Sequence, residues 1–126
     1  FKTLHKLINT NLPLPLKNIN NLKSVLHIEN LFEFIEKVLN SHLSDNEEFN
    51  ICDDKDISTT EIVKIIKKKL NKKNYLFYCP YLLITKLSTF FSEENFLIKL
   101  FYSLKVDNKY AKKIMKWNPK FNIYDL

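Results

Sequence analysis

The chain has 126 residues, of which 45% are hydrophobic and 27% charged, the proportions of an ordinary globular domain. It contains no glycine, which excludes from these residues the phosphate-binding loop, the dinucleotide-binding turn and the nucleophile elbow. All 20 basic residues are lysine, so no guanidinium can clamp a phosphate, and we attribute the net charge of +6 to compositional bias.

Apolar residues at helical spacing predict six helices along the chain. The first covers residues 1–11 and ends at Asn9-Thr10-Asn11, because asparagine tolerates the left-handed conformation. Asn30 is the expected N-cap of a helix over residues 31–42, and Ser58 with Glu61 forms a capping box for a helix over residues 59–70. The other predicted helices cover residues 81–91, residues 92–100 with Ser92 as cap, and residues 107–115 with Asp107 as cap.

Four short strands are predicted between the helices, at residues 24–28, 48–52, 75–79 and 102–106. Short strands that alternate with helices predict an α/β fold with some parallel pairing, in one domain over residues 1–126. No apolar run reaches the roughly 18 residues of a membrane span, so no membrane partner is expected. Two cysteines are too few for a disulfide scaffold, which favours a cytoplasmic location.

Few side chains in the sequence indicate a chemical function. Six lysines between Lys64 and Lys73 could bind nucleic acid or an acidic partner, but lysines at the C-terminal end of an amphipathic helix are more often its solvated face. Cys52, Cys79 and the three histidines lack the spacing of zinc-ligand pairs, so no metal site is predicted. No tyrosine is followed by lysine four residues later, so no redox base of that type and no catalytic residue is predicted.

Four stretches in chain order resemble the C-terminal part of the NAD-dependent epimerase/dehydratase family, the extended short-chain dehydrogenases. Residues 12–16 (LPLPL) are similar to the extended segment after that family's first substrate-domain helix. Residues 23–31 (KSVLHIENL) resemble its Arg-Ser-x-Val-His-Val-x-Asp/Asn-Leu. Residues 49–53 and 57–62 (FNICD, ISTTEI) resemble Tyr-Asn-Val-x-x-Gly and Val-Ser-x-x-Glu-Leu. Residues 103–107 and 117–119 (SLKVD, WNP) resemble Ser-Leu-x-Val-Asp and Trp-x-Pro.

The most similar members are UDP-sugar 4-epimerases, of the UDP-glucose 4-epimerase type. The chain departs from them at named positions. Lys23 and Lys99 stand where the family has arginines that hold the sugar-nucleotide pyrophosphate, and Tyr110 stands where it has a lysine. Asp54 and Lys116 replace family glycines. A lysine can still neutralise phosphate as a point charge, without the fixed fork of arginine.

The resemblance implies the C-terminal part of a Rossmann-type enzyme, without the βαβ units that bind its cofactor. The chain begins with Phe1, and we expect it to be a C-terminal fragment whose missing N-terminal half binds NAD and carries a catalytic tyrosine. That parent would epimerise a UDP-sugar at C4 through hydride transfer, and the fragment alone would be inactive.

By the same resemblance, the fragment would hold the UDP moiety. The implied substrate-binding residues are backbone groups near Phe1, Leu14 and Leu16 for uracil, the side chains of Lys23 and Lys99 for pyrophosphate, and Tyr102 for the ribose. Helix 31–42 and the strand around residues 49–51 would lose the sheet on which they pack in the family. An isolated fragment is therefore expected to form a homodimer, to swap elements or to rearrange these segments. The rival hypothesis is a non-catalytic basic α/β module that binds nucleic acid or acidic partners through Lys64–Lys73.

Overall fold

The computed structural model describes residues 2–41, 46–83 and 99–125, and helix is the main regular structure among them. The named helices are α1 (Lys2–Asn9), α2 (Ile28–Leu39), α3 (Thr59–Lys69) and α4 (Lys109–Met115), followed by a 3-10 turn at Ile123–Asp125. Residues 81–83 and 99–101 are also helical. The rest of the helices predicted over residues 81–91 and 92–100 lies outside the described residues.

Strand structure is sparse in the described residues. Two isolated parallel bridges join extended segments, one between Leu14 and Leu76 and one between Lys23 and Leu104. Parallel pairing is therefore confirmed, but the prediction of four regular strands is wrong for this part of the chain. A side chain occupies one of the backbone groups that a strand ladder would use. The Ser24 hydroxyl accepts a hydrogen bond from the Val106 amide at 2.9 Å.

Helix starts depend on caps, and two predicted caps are wrong. His27, not Asn30, caps α2, since its ring Nδ1 accepts from the Glu29 amide. Asn30 lies in the first turn of α2 and is buried; its side-chain amide donates to the Asp53 carboxylate at 2.6 Å. Asp107 accepts from the Lys109 amide, but Asn108 occupies the N-cap position of α4.

The capping box that opens α3 is confirmed. The Ser58 hydroxyl accepts from the Glu61 amide, and the Glu61 carboxylate accepts from the Ser58 amide. This motif was predictable because both partners lie within one turn, so no distant residue decides the outcome.

Left-handed backbone occurs at five described positions, and every one carries a side chain. They are Asn11 (φ 58°), Asn18 (φ 60°), Asn46 (φ 62°), Asn71 (φ 50°) and Lys116 (φ 46°). Asparagine is the residue after glycine that adopts this conformation most readily. The predicted left-handed stop after α1 is thus confirmed at Asn11. Lys116, which replaces a family glycine, is also left-handed. The other position that replaces a family glycine, Asp54, does not have a positive φ.

The chain divides into two compact units, each built from separate stretches of sequence. The first unit is Phe1–Leu22 with Ile57–Ser103, and the second is Lys23–Asp56 with Leu104–Leu126. The prediction that residues 1–126 form a single domain stays a prediction, and each unit is described by itself.

In the first unit α1 packs against α3. Leu4 and Ile8 from α1 and Ile62 and Val63 from α3 are buried there. The apolar spacing of this helix predicts a buried stripe of Ile62, Ile65, Ile66 and Leu70. Val63 is absent from that prediction but buried, whereas Ile65 and Ile66 are only partly buried.

In the second unit the core is built around Trp117. The Phe34 ring of α2 meets the Trp117 ring edge-on at 5.2 Å, and Ala111 and Met115 of α4 complete the buried cluster. Phe34 therefore ties α2 to α4. Among the described residues, no helix has the length and apolar character needed to cross a bilayer.

Candidate functional site

A cleft of about 410 Å³ opens in the first unit. Its volume lies within the range of small-molecule pockets, roughly 300–1,000 Å³. The cleft combines one lysine, several amides, three aromatic rings and a thiol. Its lining residues are Lys17, Asn18, Ile19, Asn20, Asn21, Tyr78, Cys79, Tyr81, Phe101 and Ser103. Such a mixture suits a ligand with a flat ring and several polar groups.

Asn21 fixes the cleft wall from inside the protein. Its side-chain Nδ2 donates to the carbonyls of Leu100 at 3.0 Å and Tyr102 at 2.8 Å, and also to the Thr59 hydroxyl at 3.1 Å. Its Oδ1 accepts from the Thr59 amide at 2.9 Å. Because a buried amide with all these partners cannot rotate freely, Asn21 joins residues 100–102 to the start of α3.

An aromatic group also contributes to the cleft. The Tyr81 ring meets the Phe101 ring edge-on at 5.8 Å, and the Tyr81 and Tyr102 hydroxyl oxygens lie 3.2 Å apart. The hydrogen bond with Tyr102 is the main cause that raises the pKa of Tyr81, with removal from solvent a smaller one. The Tyr81 hydroxyl is therefore protonated, and able to donate, near neutral pH.

The two cysteines differ in how accessible they are to solvent. Cys79 lines the cleft and is only partly buried. Cys52, in the second unit, is buried, and its Sγ donates to the Val106 carbonyl at 3.3 Å. Burial raises the pKa of the Cys52 thiol, with a smaller upward contribution from nearby carboxylates. Since the thiolate is the reactive form, Cys52 is expected to be inert and Cys79 to be the reagent-accessible thiol.

The positions predicted for uracil already hold protein hydrogen bonds. The Leu14 amide donates to the Tyr75 carbonyl at 2.9 Å, and the Leu14 carbonyl accepts from the Phe77 amide at 3.0 Å. The Leu16 carbonyl accepts from the Thr60 hydroxyl at 2.8 Å. The role of Leu14 and Leu16 in uracil binding stays a prediction, and Phe1 lies outside the described residues.

The residues predicted for phosphate and ribose are distributed over both units. Lys23 belongs to the second unit, where burial lowers its pKa. Lys99 and Tyr102 belong to the first unit and are exposed. The Tyr102 hydroxyl lies 3.2 Å from that of Tyr81, which lines the cleft, but the role of Tyr102 at the ribose stays a prediction. The convergence of the two lysines on one phosphate also stays a prediction.

Most cleft residues were missed by the sequence reasoning. Tyr78 and Tyr81 lie close to Pro80 and were assigned to a predicted strand and a predicted helix, and the apolar character of Phe101 predicts a core position instead. The polar residues 17–21 predict a turn, which contains Asn21, but a turn signal does not reveal a buried amide. Only the resemblance selected Tyr102.

The lysine run behaves largely as a solvated helix face. Lys64, Lys68 and Lys69 are exposed on α3, whose opposite face carries the buried Ile62 and Val63. The ammonium of Lys67 donates to the Asn74 carbonyl and so closes the turn after the helix. This arrangement is typical of a solvated helix face, and binding of nucleic acid or acidic partners through Lys64–Lys73 stays a hypothesis.

A nicotinamide cofactor does not fit the described residues. Its fingerprint needs glycines at tight turns where backbone approaches the pyrophosphate, and every left-handed position here carries a Cβ atom. Nor do the described residues contain a cluster of three His, Cys, Asp or Glu side chains that could hold a metal ion.

Comparison with known proteins gives one relationship of note. The chain is 27% identical over 120 residues to the UDP-glucose 4-epimerase of Vibrio cholerae. The similar region covers 94% of this chain but 37% of that enzyme's length. No protein-family model matches the chain, and no solved structure does. The chain is thus distantly similar, over almost all of its length, to about a third of a UDP-glucose 4-epimerase.

Proposed function

We propose that this chain forms the nucleotide-binding wall of an NAD-dependent UDP-sugar 4-epimerase. The observation that carries the proposal is the similarity over 94% of the chain to a UDP-glucose 4-epimerase. It agrees with the resemblance of four sequence motifs in the same order. In this proposal the epimerase has further polypeptide, which holds the NAD and the catalytic tyrosine, because the present residues supply neither.

The cleft has groups suited to a nucleoside diphosphate. The rings of Tyr78, Tyr81 and Phe101 can stack on a pyrimidine or cover a ribose, since aromatic faces accept flat rings. Lys17 at the rim can neutralise phosphate, and we propose that Lys23 and Lys99 also do so. These groups bind and orient the nucleotide; the reaction at the sugar belongs to the remaining polypeptide.

Protection of Cys79 from a thiol reagent tests this proposal directly. The 126-residue chain is treated with a maleimide at fixed pH and ionic strength, with and without UDP. We expect one fast-reacting thiol, slowed by UDP more than by ADP. The Cys79→Ser variant should lose the fast phase, whereas Cys52→Ser should keep it. Equal labelling rates with and without millimolar UDP would contradict the proposed function.

Two pairs of lysine variants separate this function from the rival one. Lys23→Gln and Lys99→Gln should each weaken UDP protection, whereas Lys68→Gln and Lys69→Gln on α3 should leave it unchanged. A nucleic-acid module would behave differently. Its affinity for single-stranded DNA would fall with salt at a log–log slope of about −0.7 per phosphate contact, and the α3 variants would reduce it.

An activity assay checks the proposal that other polypeptide carries out the reaction. The purified chain should not interconvert UDP-glucose and UDP-galactose when NAD is added, because it has no glycine turn for the cofactor and no catalytic tyrosine pair. Measurable epimerisation by these residues alone would refute the assignment of chemistry to other polypeptide.

A further inference from the structure

The start of α2 is capped by a histidine ring, which is not one of the usual capping groups. The Nδ1 atom of His27 accepts a hydrogen bond from the Glu29 amide at 3.2 Å. The usual caps accept this bond with an oxygen atom, which stays an acceptor near neutral pH. A ring nitrogen accepts only while it carries no proton, and an imidazole ordinarily titrates near about pH 6.5. The observed cap therefore requires neutral His27 with its proton on Nε2.

The same ring contacts the C-terminal segment of the second unit. Its face stacks on the Phe121 ring, with the centroids 5.4 Å apart and the planes inclined by 24°. The backbone of Phe121 is held separately by the buried Asn30 side chain, which accepts from its amide at 3.1 Å and donates to its carbonyl at 2.8 Å. A rotation of the His27 ring would therefore release the Phe121 ring and leave the Phe121 backbone in place.

The charged residues around His27 come from three segments. Glu29 lies on α2, and both oxygens of the buried Asp53 carboxylate accept from the His27 amide at 3.0 Å. The C-terminal segment contributes Lys120, whose ammonium is paired with the Glu33 carboxylate at 2.6 Å. The two carboxylates at positions 29 and 53 favour a positive ring. The helix dipole and the loss of the cap oppose it, so protonation sets these contacts against one another.

We propose that His27 is a proton-operated latch between α2 and the C-terminal segment. In the neutral ring, Nδ1 caps α2 and the ring face holds Phe121. Because His27 is only half-buried, its ring can take a proton from solvent. Protonated Nδ1 becomes a donor that points at another donor, the Glu29 amide, so the ring turns towards a carboxylate. The Glu29 amide then bonds to water, and the Phe121 ring loses its stacking partner.

The latch goes beyond the proposed function, because it lies within the second unit and involves neither the cleft nor a nucleotide. Solution NMR of the 126-residue chain between about pH 7.5 and pH 5 tests it. At the upper end, ¹⁵N shifts should place the proton of His27 on Nε2. A proton on Nδ1 there would overturn the proposal, because that tautomer cannot accept from the Glu29 amide.

The response to acid is the second measurement. As His27 takes up its proton, the hydrogen-exchange protection factor of the Glu29 amide should fall about three- to tenfold, which is the effect of losing one helix cap. The nuclear Overhauser contacts between the His27 and Phe121 rings should weaken with the same midpoint. Protection or ring contacts that stay constant while His27 titrates would contradict the latch.

The His27→Asn variant separates this response from other titrations. Asparagine keeps an acceptor for the Glu29 amide but does not titrate, so the protection of Glu29 should be constant over the same range. The matched control is His5→Asn, at an exposed histidine of the first unit, and it should respond as the wild type does. A wild-type response in His27→Asn would assign the effect to another group and refute the proposal. If His27→Asn does not fold, the wild-type titration decides.

Discussion

Replacing Asn21 by alanine removes the side chain that joins residues 100–102 to α3. The Thr59 amide, on a residue only 1% exposed, then loses its acceptor and lies where water cannot replace it. The Tyr102 carbonyl loses a donor at 2.8 Å but belongs to an exposed residue, so solvent can partly compensate. The Leu100 carbonyl keeps the bond that the Thr59 hydroxyl donates at 2.7 Å.

The expected loss follows from these three groups. A buried polar group left without a partner costs about 1–3 kcal/mol, and a partly solvated one costs less. We therefore expect Asn21→Ala to lower the free energy of unfolding by about 2–4 kcal/mol. That is a large fraction of the roughly 5–15 kcal/mol of a typical domain.

Urea unfolding followed by circular dichroism at 222 nm measures this change. The matched control is Asn20→Ala, since Asn20 is the exposed neighbour of Asn21 and also lines the cleft. The control should lie within about 0.5 kcal/mol of the wild type. A loss below about 1 kcal/mol for Asn21→Ala, at an unchanged denaturant slope, would refute the claim that this amide holds the wall.

Three further variants test other features. Lys116→Gly should raise the free energy of unfolding by about 0.5–1 kcal/mol. The left-handed conformation costs an L-residue about 1–2 kcal/mol, and the conformational entropy of glycine in the unfolded chain offsets part of the gain. A lower melting temperature would contradict this. Phe34→Ala should cost about 3–5 kcal/mol in urea unfolding, whereas Phe32→Ala, on the exposed side of the same helix, should cost about 0.5 kcal/mol or less. Glu47→Gln should lower the pKa of Tyr110 towards 10.0, because the bond to the Glu47 carboxylate raises it; ultraviolet titration detects this shift, and an unchanged midpoint would exclude the bond in solution.

Local signals predicted local structure well. The capping box at Ser58 and Glu61 and the left-handed Asn11 both depend on residues within one turn, and both are confirmed. The cap at Asn30 was wrong because the partners of that amide are remote. Asp53 lies 23 positions away and Phe121 lies 91 positions away, so sequence proximity could not show that Asn30 turns inward.

The predicted strands failed for a related reason. Strand propensity identifies backbone that can pair, and Lys23 and Leu104 indeed form a parallel bridge. It does not show whether backbone groups will meet another backbone or a side chain. Ser24 both donates its amide to the Leu104 carbonyl and accepts at its hydroxyl from the Val106 amide, so one side chain ends the pairing that the backbone begins.

The cleft was less predictable than the fold. Tyr102 came from the family resemblance, not from its own chemistry. Tyr81 and Asn21 carry no motif, and their importance rests on contacts 21 and 81 positions away, respectively, both to Tyr102. A buried asparagine and a solvent-exposed one are the same letter in a sequence, and only the tertiary partners distinguish them.

The hydrogen bonds from Asn21 to the distant Leu100 and Tyr102 carbonyls determine when the cleft wall can form during synthesis and folding. Its side chain leaves the ribosome about 80 residues before the carbonyls of Leu100 and Tyr102 that it must bind. Until then the amide has only Thr59 and water as partners, and the cleft wall has no second side. Closing so long a loop costs little more free energy than closing one half its length, about 0.6 kcal/mol, but distant contacts slow folding. The cleft should therefore be among the last features of the first unit to form.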